Sequence, residues 1–217
     1  MLFTLKDQNG IKKKYGCGNI WFTSDTHFHQ ERAFKLSKRD NVFSSIKEMD
    51  IELLSSIENI PKDDILIHLG DVGEVNSMKR MVSCHENTIL ILGNYETNEM
   101  VKFRLSFSEY RTHLLEDIGF LDVYENYAIL YIDNLNNWFF LTHDPKYFAD
   151  RTKELGITYE QYEKVRCLFG HIHGRQMIKR FGLDVGVDAH HFKPISIDDV
   201  MFYIEAIDKY YDESVFC

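Results

Sequence analysis

The stretch NIWFTSDTHF at residues 19–28 decides the fold. Asn19 to Ser24 is an aromatic and β-branched run that stops at Asp25, the pattern of a buried strand emptying into a polar loop. The pattern returns twice: Asp64 to Leu69 (DILIHL) ends at Gly70-Asp71, and Thr88 to Leu92 (TILIL) ends at Gly93-Asn94. Between the first two runs, Ile46, Met49, Leu53, Leu54 and Ile57 recur at helical spacing behind Ser44 or Ser45 as a cap, and Pro61 closes the helix. Asn76 to Cys84 suits a short helix. Thr97 to Asp117 suits a long amphipathic one, capped by Thr97 and ended at Gly119. Strands alternating with helices predict an α/β sandwich with helices outside the sheets.

The second half changes character. Phe120 to Tyr124, Tyr127 to Ile132 and Trp138 to Thr142 follow one another across Asn-rich turns, which predicts an antiparallel meander. Val165 to Phe169 ends at Gly170-His171, with further strands expected at Gln176 to Phe181 and Leu183 to Val187. Ile197 to Tyr211 reads as a strand end followed by a helix. No internal repeat, low-complexity tract or linker divides the 217 residues, so one domain over 1–217 is expected.

Hydrophobic residues at 44% and charged residues at 27% describe a globular chain with a sizeable core. The longest apolar runs, Ala128 to Ile132 and Trp138 to Leu141, fall far short of the roughly 20 residues needed to cross a bilayer. No apolar stretch of secretory length follows the basic start, so the expected location is the cytoplasm. The four cysteines, at 17, 84, 167 and 217, are too scattered for a disulfide scaffold and are expected to be reduced. A formal charge of −9 opposes attraction to a long nucleic-acid backbone. It does not oppose a small phosphate ester, because bound divalent cations reverse the local field.

Metal-ligand residue types repeatedly follow the apolar runs: Asp25-Thr26-His27, Gly70-Asp71, Gly93-Asn94, Thr142-His143 and Gly170-His171-Ile172-His173. In an extended backbone, side chains two residues apart share a side, so Asp25 with His27, and His171 with His173, could each aim at one centre. Glycines before Asp71, Asn94 and His171 let the chain turn sharply. Carboxylate, imidazole and amide oxygen suit Mn, Fe, Zn, Ni or Co rather than a thiolate-bound ion, with manganese expected first. Seven candidates exceed one tetrahedral site but fit two ions about 3.5–4 Å apart with Asp71 as the bridge. Each piece alone is usually structural. Gly-His-x-His, however, should arise by chance only roughly 0.03 times from 12 glycines and 10 histidines.

The ordered set resembles the calcineurin-like metallophosphoesterase superfamily, whose signature runs D-x-H, G-D, G-N-H-[DE], H and G-H-x-H. FTSDTHF at 22–28, HLGDVG at 68–73, LGNYE at 92–96 and GHIHG at 170–174 are similar to small bacterial and phage phosphohydrolases. The resemblance implies one metal on Asp25, His27 and His173, a second on Asn94, His143 and His171, and Asp71 between them. It also implies a four-layer αββα sandwich of two mixed β-sheets. The chain departs from the signature at Tyr95, where the family commonly has a histidine that contacts the phosphoryl group or assists the leaving group. A phenol, with a reference pKa near about 10, is a poorer acid than imidazole at neutral pH. Asn94 and Tyr95 are thus the residues expected at the reacting group. The expected activity is hydrolysis of phosphate esters, leaning to small or nucleotide-like phosphodiesters, by a metal-activated water. The alternatives are a phosphomonoesterase or protein phosphatase, and a metal-bearing interaction scaffold.

Of the remaining histidines, His29 and His190 stand where they could line a substrate cleft. Arg32, Arg39 and Arg175 lie near the motifs and read as solvated charges. The aromatic residues, 14% of the chain, fall mostly inside apolar runs and read as core.

Overall fold

The computed structural model describes residues 1–16, 18–154 and 165–211. Two mixed sheets face each other. The five-stranded sheet is built on three parallel strands, β3 (Ile20–Thr23), β4 (Ile65–His68) and β5 (Thr88–Ile91). The edge strand β6 (Asp122–Tyr124) lies parallel to β5, and β12 (Ile195–Ser196) pairs antiparallel with β3. The seven-stranded sheet runs in the order β10 (Ile178–Lys179), β11 (Gly182–Asp184), β9 (Val165–Phe169), β8 (Asn137–Thr142), β7 (Tyr127–Ile132), β1 (Leu2–Lys6) and β2 (Lys12–Gly16).

Strand alternation sorts the core into layers. Ile65, Ile67, Ile89 and Ile91 point between the sheets and meet Leu130, Phe139, Leu141 and Leu168. Leu66, Leu90 and Leu92 point outward, under α2 (Ile46–Glu58), α3 (Val75–Cys84) and α5 (Phe107–His113). On the far side, Phe140 and Phe169 pack against Phe148 of α6 (Pro145–Glu154). The result is the expected sandwich of two mixed sheets with helices outside. Helix α7 (Ile197–Tyr210) places Ile197, Val200, Ile204 and Ile207 in the inter-sheet core. At about 1.5–3 kcal/mol per fully buried aliphatic side chain, these rows carry most of the folding drive. Among the described residues no helix is long and apolar enough to cross a membrane.

Helix α2 starts as its sequence predicts, with Ser45 Oγ accepting the Glu48 N–H. The long helix expected over Thr97 to Asp117 does not form. Helix α4 (Asn94–Lys102) begins three residues earlier, because the buried Glu96 carboxylate accepts the Gly93 N–H; Thr97 is interior and donates its hydroxyl to Gly93 O. Arg104 then adopts φ 56°, and a capping box of Ser106 and Glu109 opens α5. The helix ends through a π-turn (Leu114–Ile118) at Gly119, φ 102°. The expected meander is also corrected. β6 follows a helical crossover from β5 and so joins it in parallel, as βαβ connections do, leaving only β7 and β8 as a hairpin. Cys84 and Cys167 are free thiols, as expected; Cys17 and Cys217 lie outside the described residues.

The edge strands of the two sheets are tied by Asp122 on β6. It accepts from the Tyr15 hydroxyl (2.5 Å) and Lys13 Nζ (3.0 Å) on β2, and from Arg111 Nη2 on α5 (2.6 Å). Burial opposes its charge, but the Tyr15, Lys13 and Arg111 bonds hold its carboxyl below the usual range. A depressed folded pKa contributes stability above the unfolded value of about 3.9, and that contribution is lost as the pH falls through the folded pKa. Asp122→Asn is therefore expected to lower stability at pH 7 by on the order of 2 kcal/mol, with the exposed Lys13 contributing least. The variant should also show a flatter decline in urea midpoint as the pH falls below about 5. Parallel wild-type and variant curves would remove the tie.

Candidate metal centre

All seven expected ligands come together at the carboxyl ends of the parallel strands. Asp25 follows β3, Asp71 follows β4, Asn94 follows β5, His143 follows β8, and His171 and His173 follow β9. Backbone bonds lash these loops together: Asp25 N–H to Gly70 O (3.0 Å), His27 N–H to Asp71 O (3.0 Å) and Gly170 N–H to His143 O (3.0 Å).

The local geometry is not the extended backbone expected from the D-x-H and H-x-H spacing. Asp25, His27, Asp71, His171 and His173 all sit at positive φ, between 48° and 72°. Each non-glycine residue in that region costs of order 1 kcal/mol or more, and such residues cluster where a site over-determines them. Asp25 and His27 still share one group of donors, with His173, whereas His171 turns away from His173 to His143 and Asn94. Glycine is required at two of the turns. Gly70 has φ 90°, and a Cβ there would strike Gly93. A Cβ on Gly170 would collide with Ser24 Oγ and Asp25 Oδ2.

Donor atoms of Asp25, His27 and His173 lie within 4.8 Å of one another, as do those of Asp25, Asp71 and His143. Asp71 Oδ2 is 3.6 Å from His27 Nε2 and 3.4 Å from His143 Nε2, so it lies between the two histidines. His171 Nδ1 is 3.3 Å from His143 Nε2 and 3.0 Å from the Asn94 carboxamide. Asp25, His27, Asp71 and His143 form a buried floor, His171 and His173 are half-buried, and Asn94 is exposed at the mouth.

Three imidazoles are oriented alike. Nδ1–H of His27 donates to Gln30 Oε1 (2.7 Å), that of His143 to Leu69 O (2.8 Å) and that of His173 to Asp188 Oδ2 (2.7 Å). Each bond commits Nδ1 outward and turns Nε2 inward, the arrangement typical of metal-bound histidine. Asp25 Oδ1 and His27 Nε2 are buried, with no hydrogen-bond partner among the described residues. Orphaned acceptors facing each other across a pocket fit a cation.

Burial opposes charge on His143, but Asp25 and Asp71 push its pKa up to about 10. Burial likewise opposes ionisation of Asp71, yet His143, His27 and the Tyr95 N–H hold it down to about 2. Burial dominates at His27 and lowers its pKa. The carboxylates therefore attract positive charge strongly, and a metal entering here displaces the proton on His143.

Several supporting residues escaped the sequence reading. Arg39, read as a solvated charge, is fully buried and grips Asp188 through Nε (2.8 Å) and Nη2 (2.7 Å). Glu96 is buried and accepts the N–H groups of Asp71, Val72 and Gly93 (2.8–2.9 Å). Asp184, pushed up to about 7 by burial and then Asp25, braces the His-x-His turn by accepting the N–H of Gly174 (3.1 Å). His190 is no cleft residue: it is buried, with Nε2 on Asp184 O at 2.6 Å. His29 is exposed, 3.7 Å from Asp50. Arg32 and Arg175 are exposed, as expected. Tyr95 gives its N–H to Asp71 Oδ1 (2.9 Å) and sets its ring edge-on to His27, centroids 4.9 Å apart.

Aspartate, histidine and asparagine converging at strand ends define a metal-dependent hydrolase centre. The chain matches the calcineurin-like phosphoesterase superfamily domain over residues 19–187 and belongs to that family of metal-dependent phosphoesterases. No curated protein matches it. It is similar in structure to the protein of unknown function AQ665 from Aquifex aeolicus, with a TM-score of 0.61 and 22% identity. The match covers 85% of this chain and 98% of that one and reflects a shared fold.

Proposed function

We propose that the chain hydrolyses phosphodiesters, small or nucleotide-like, with two divalent cations, manganese first among them. Asp25, His27 and His173 would hold one ion, and Asn94, His143 and His171 the other, with Asp71 shared. Bound metals at such a site lower the pKa of a shared water and neutralise phosphoryl oxygens during in-line attack. The protein's own part is positional. Gln30, Leu69 and Asp188 fix the three imidazoles, and the Tyr95 N–H orients Asp71.

Tyr95 carries the preference for diesters. The family commonly presents an imidazole at this position, but here an aromatic ring packs against His27. A poorer acid there favours substrates whose leaving group needs less protonation and whose phosphoryl group bears one charge rather than two.

Apo protein reconstituted with Mn²⁺ is expected to cleave bis(4-nitrophenyl) phosphate faster than 4-nitrophenyl phosphate. Silence across Mn, Ni, Co, Fe and Zn would overturn the assignment, and faster monoester turnover would favour a phosphomonoesterase. Tyr95→His is expected to raise monoester kcat by roughly tenfold or more, the lower part of the range for general-acid assistance. An unchanged rate would remove the position from proton donation.

A further inference from the structure

A cleft of about 310 Å³ opens beside the ligand cluster, between the first turns of α4 and the turn from β8 into α6. Asn94 and His143 are common to both, so whatever fills the cleft lies against the candidate metal centre. Its volume is at the small end of ligand pockets, which run about 300–1,000 Å³. That suits one arm of a small ester rather than an oligomer.

The wall has a definite chemistry. Among the described residues no lysine or arginine lines it, and Asp144 is the one carboxylate in the wall. Asp144 Oδ1 accepts the Lys146 N–H at 2.8 Å, which leaves Oδ2 as an acceptor for a ligand. Asn126 gives one amide N–H to Gln8 Oε1 at 2.8 Å and keeps its carbonyl oxygen as an acceptor. Asn98 adds an exposed carboxamide from α4. Tyr147 supplies an aromatic face, held against Tyr127 with centroids 5.7 Å apart. Acceptors on the wall call for donors on the ligand. A lone carboxylate with no basic neighbour among the described residues of the wall repels a second anionic group.

We propose that this cleft takes one ester arm of the diester and that the arm is an uncharged nucleoside. Its sugar hydroxyls donate to Asp144 and Asn126, its ring lies on Tyr147, and a nucleoside carrying a further phosphate is excluded. This rests on the phosphodiesterase reading and narrows it. Hydrolysis of a dinucleoside monophosphate adds water across one P–O bond. Phosphorus gains the hydroxyl, the departing oxygen gains the proton, and a nucleoside and a nucleoside monophosphate leave.

The test compares thymidylyl-thymidine with the same dinucleotide phosphorylated at both ends, so that either arm would bring a charge. Mn²⁺-loaded protein is assayed by chromatography, with bis(4-nitrophenyl) phosphate as the reference diester. The expected kcat/KM for the uncapped substrate is at least tenfold higher. Asp144→Asn and the exposed Asn98→Lys should each shrink that ratio at least threefold. Ser83→Lys, an exposed site on α3 outside the cleft, makes a comparable charge change and should leave the ratio alone. If the reference diester turns over but the two dinucleotides are equal, or Ser83→Lys moves the ratio as far as Asn98→Lys, the nucleoside subsite is wrong and the phosphodiesterase reading stands. If the reference diester is not hydrolysed at all, both fall together.

Discussion

Asp71→Asn is expected to lose most bound metal and at least about a thousandfold in kcat on any phosphate ester. Its Oδ2 lies 3.6 Å from His27 Nε2 and 3.4 Å from His143 Nε2, so a single atom faces both halves of the cluster. Its other oxygen is taken by the Tyr95 N–H at 2.9 Å, so the side chain cannot rotate to share the load. Asparagine keeps the shape and the bond from Tyr95 but removes the negative charge from the centre of the pocket. Bound metal ions supply several kcal/mol of charge stabilisation, and losing about 4 kcal/mol of it corresponds to three powers of ten in rate. Metal analysis after dialysis and kcat with saturating Mn²⁺ measure the two effects. A cooperative thermal transition in the variant separates them from unfolding. Full metal content with unchanged turnover would end the two-ion assignment.

The convergence of the candidate residues was legible because most of them follow an apolar run that reads as a buried strand. Ile65, Leu66 and Ile67 are all buried, as are Ile89, Leu90 and Ile91, and such continuous burial leaves the next polar residue at a strand end. The N-terminal hairpin was not legible for a related reason. The β2 strand, KKKYG, lies at a sheet edge, where lysines guard exposed backbone and resemble a solvated charge run. The helix break after Lys102 could have been found from Ser106-x-x-Glu109, a capping box in plain view. The placement of β6 could not, because its run of Asp122, Val123 and Tyr124 is too short to distinguish a parallel partner from an antiparallel one. Positive φ at five of the candidate positions is invisible to spacing, since residue types alone do not tell an extended backbone from a left-handed one.

Arg39 shows where reading a charge from its neighbours in sequence fails. Arg39→Met is expected to lower stability by about 3–5 kcal/mol, the range for breaking a buried ion pair, and to weaken metal binding about 10–100-fold. The guanidinium, with no exposed surface, clasps both oxygens of Asp188 and donates to Thr26 O (2.9 Å) and Asp25 O (2.5 Å). Asp188 in turn receives Nδ1–H of His173, so the arginine holds His173 through one carboxylate and the Asp25 loop through two carbonyls. Burial opposes charge on Asp188, but His173 and Arg39 hold its pKa down to about 2. That stability is present above the unfolded carboxyl pKa of about 3.9 and disappears as the pH falls towards 2. Without the arginine, Asp188 is left buried with one partner, and its pKa rises. In Arg39→Met/Asp188→Asn no charge is stranded, so much of the folding loss should return, while two carbonyls remain without donors and metal binding stays weak. Urea unfolding of the apo proteins and Mn²⁺ titration of the folded ones give the two sides of the cycle. A single variant with wild-type unfolding and wild-type Mn²⁺ affinity would make Arg39 a bystander. Recovery of folding without recovery of binding in the double variant would show that the same side chain serves the core and the site through separate bonds.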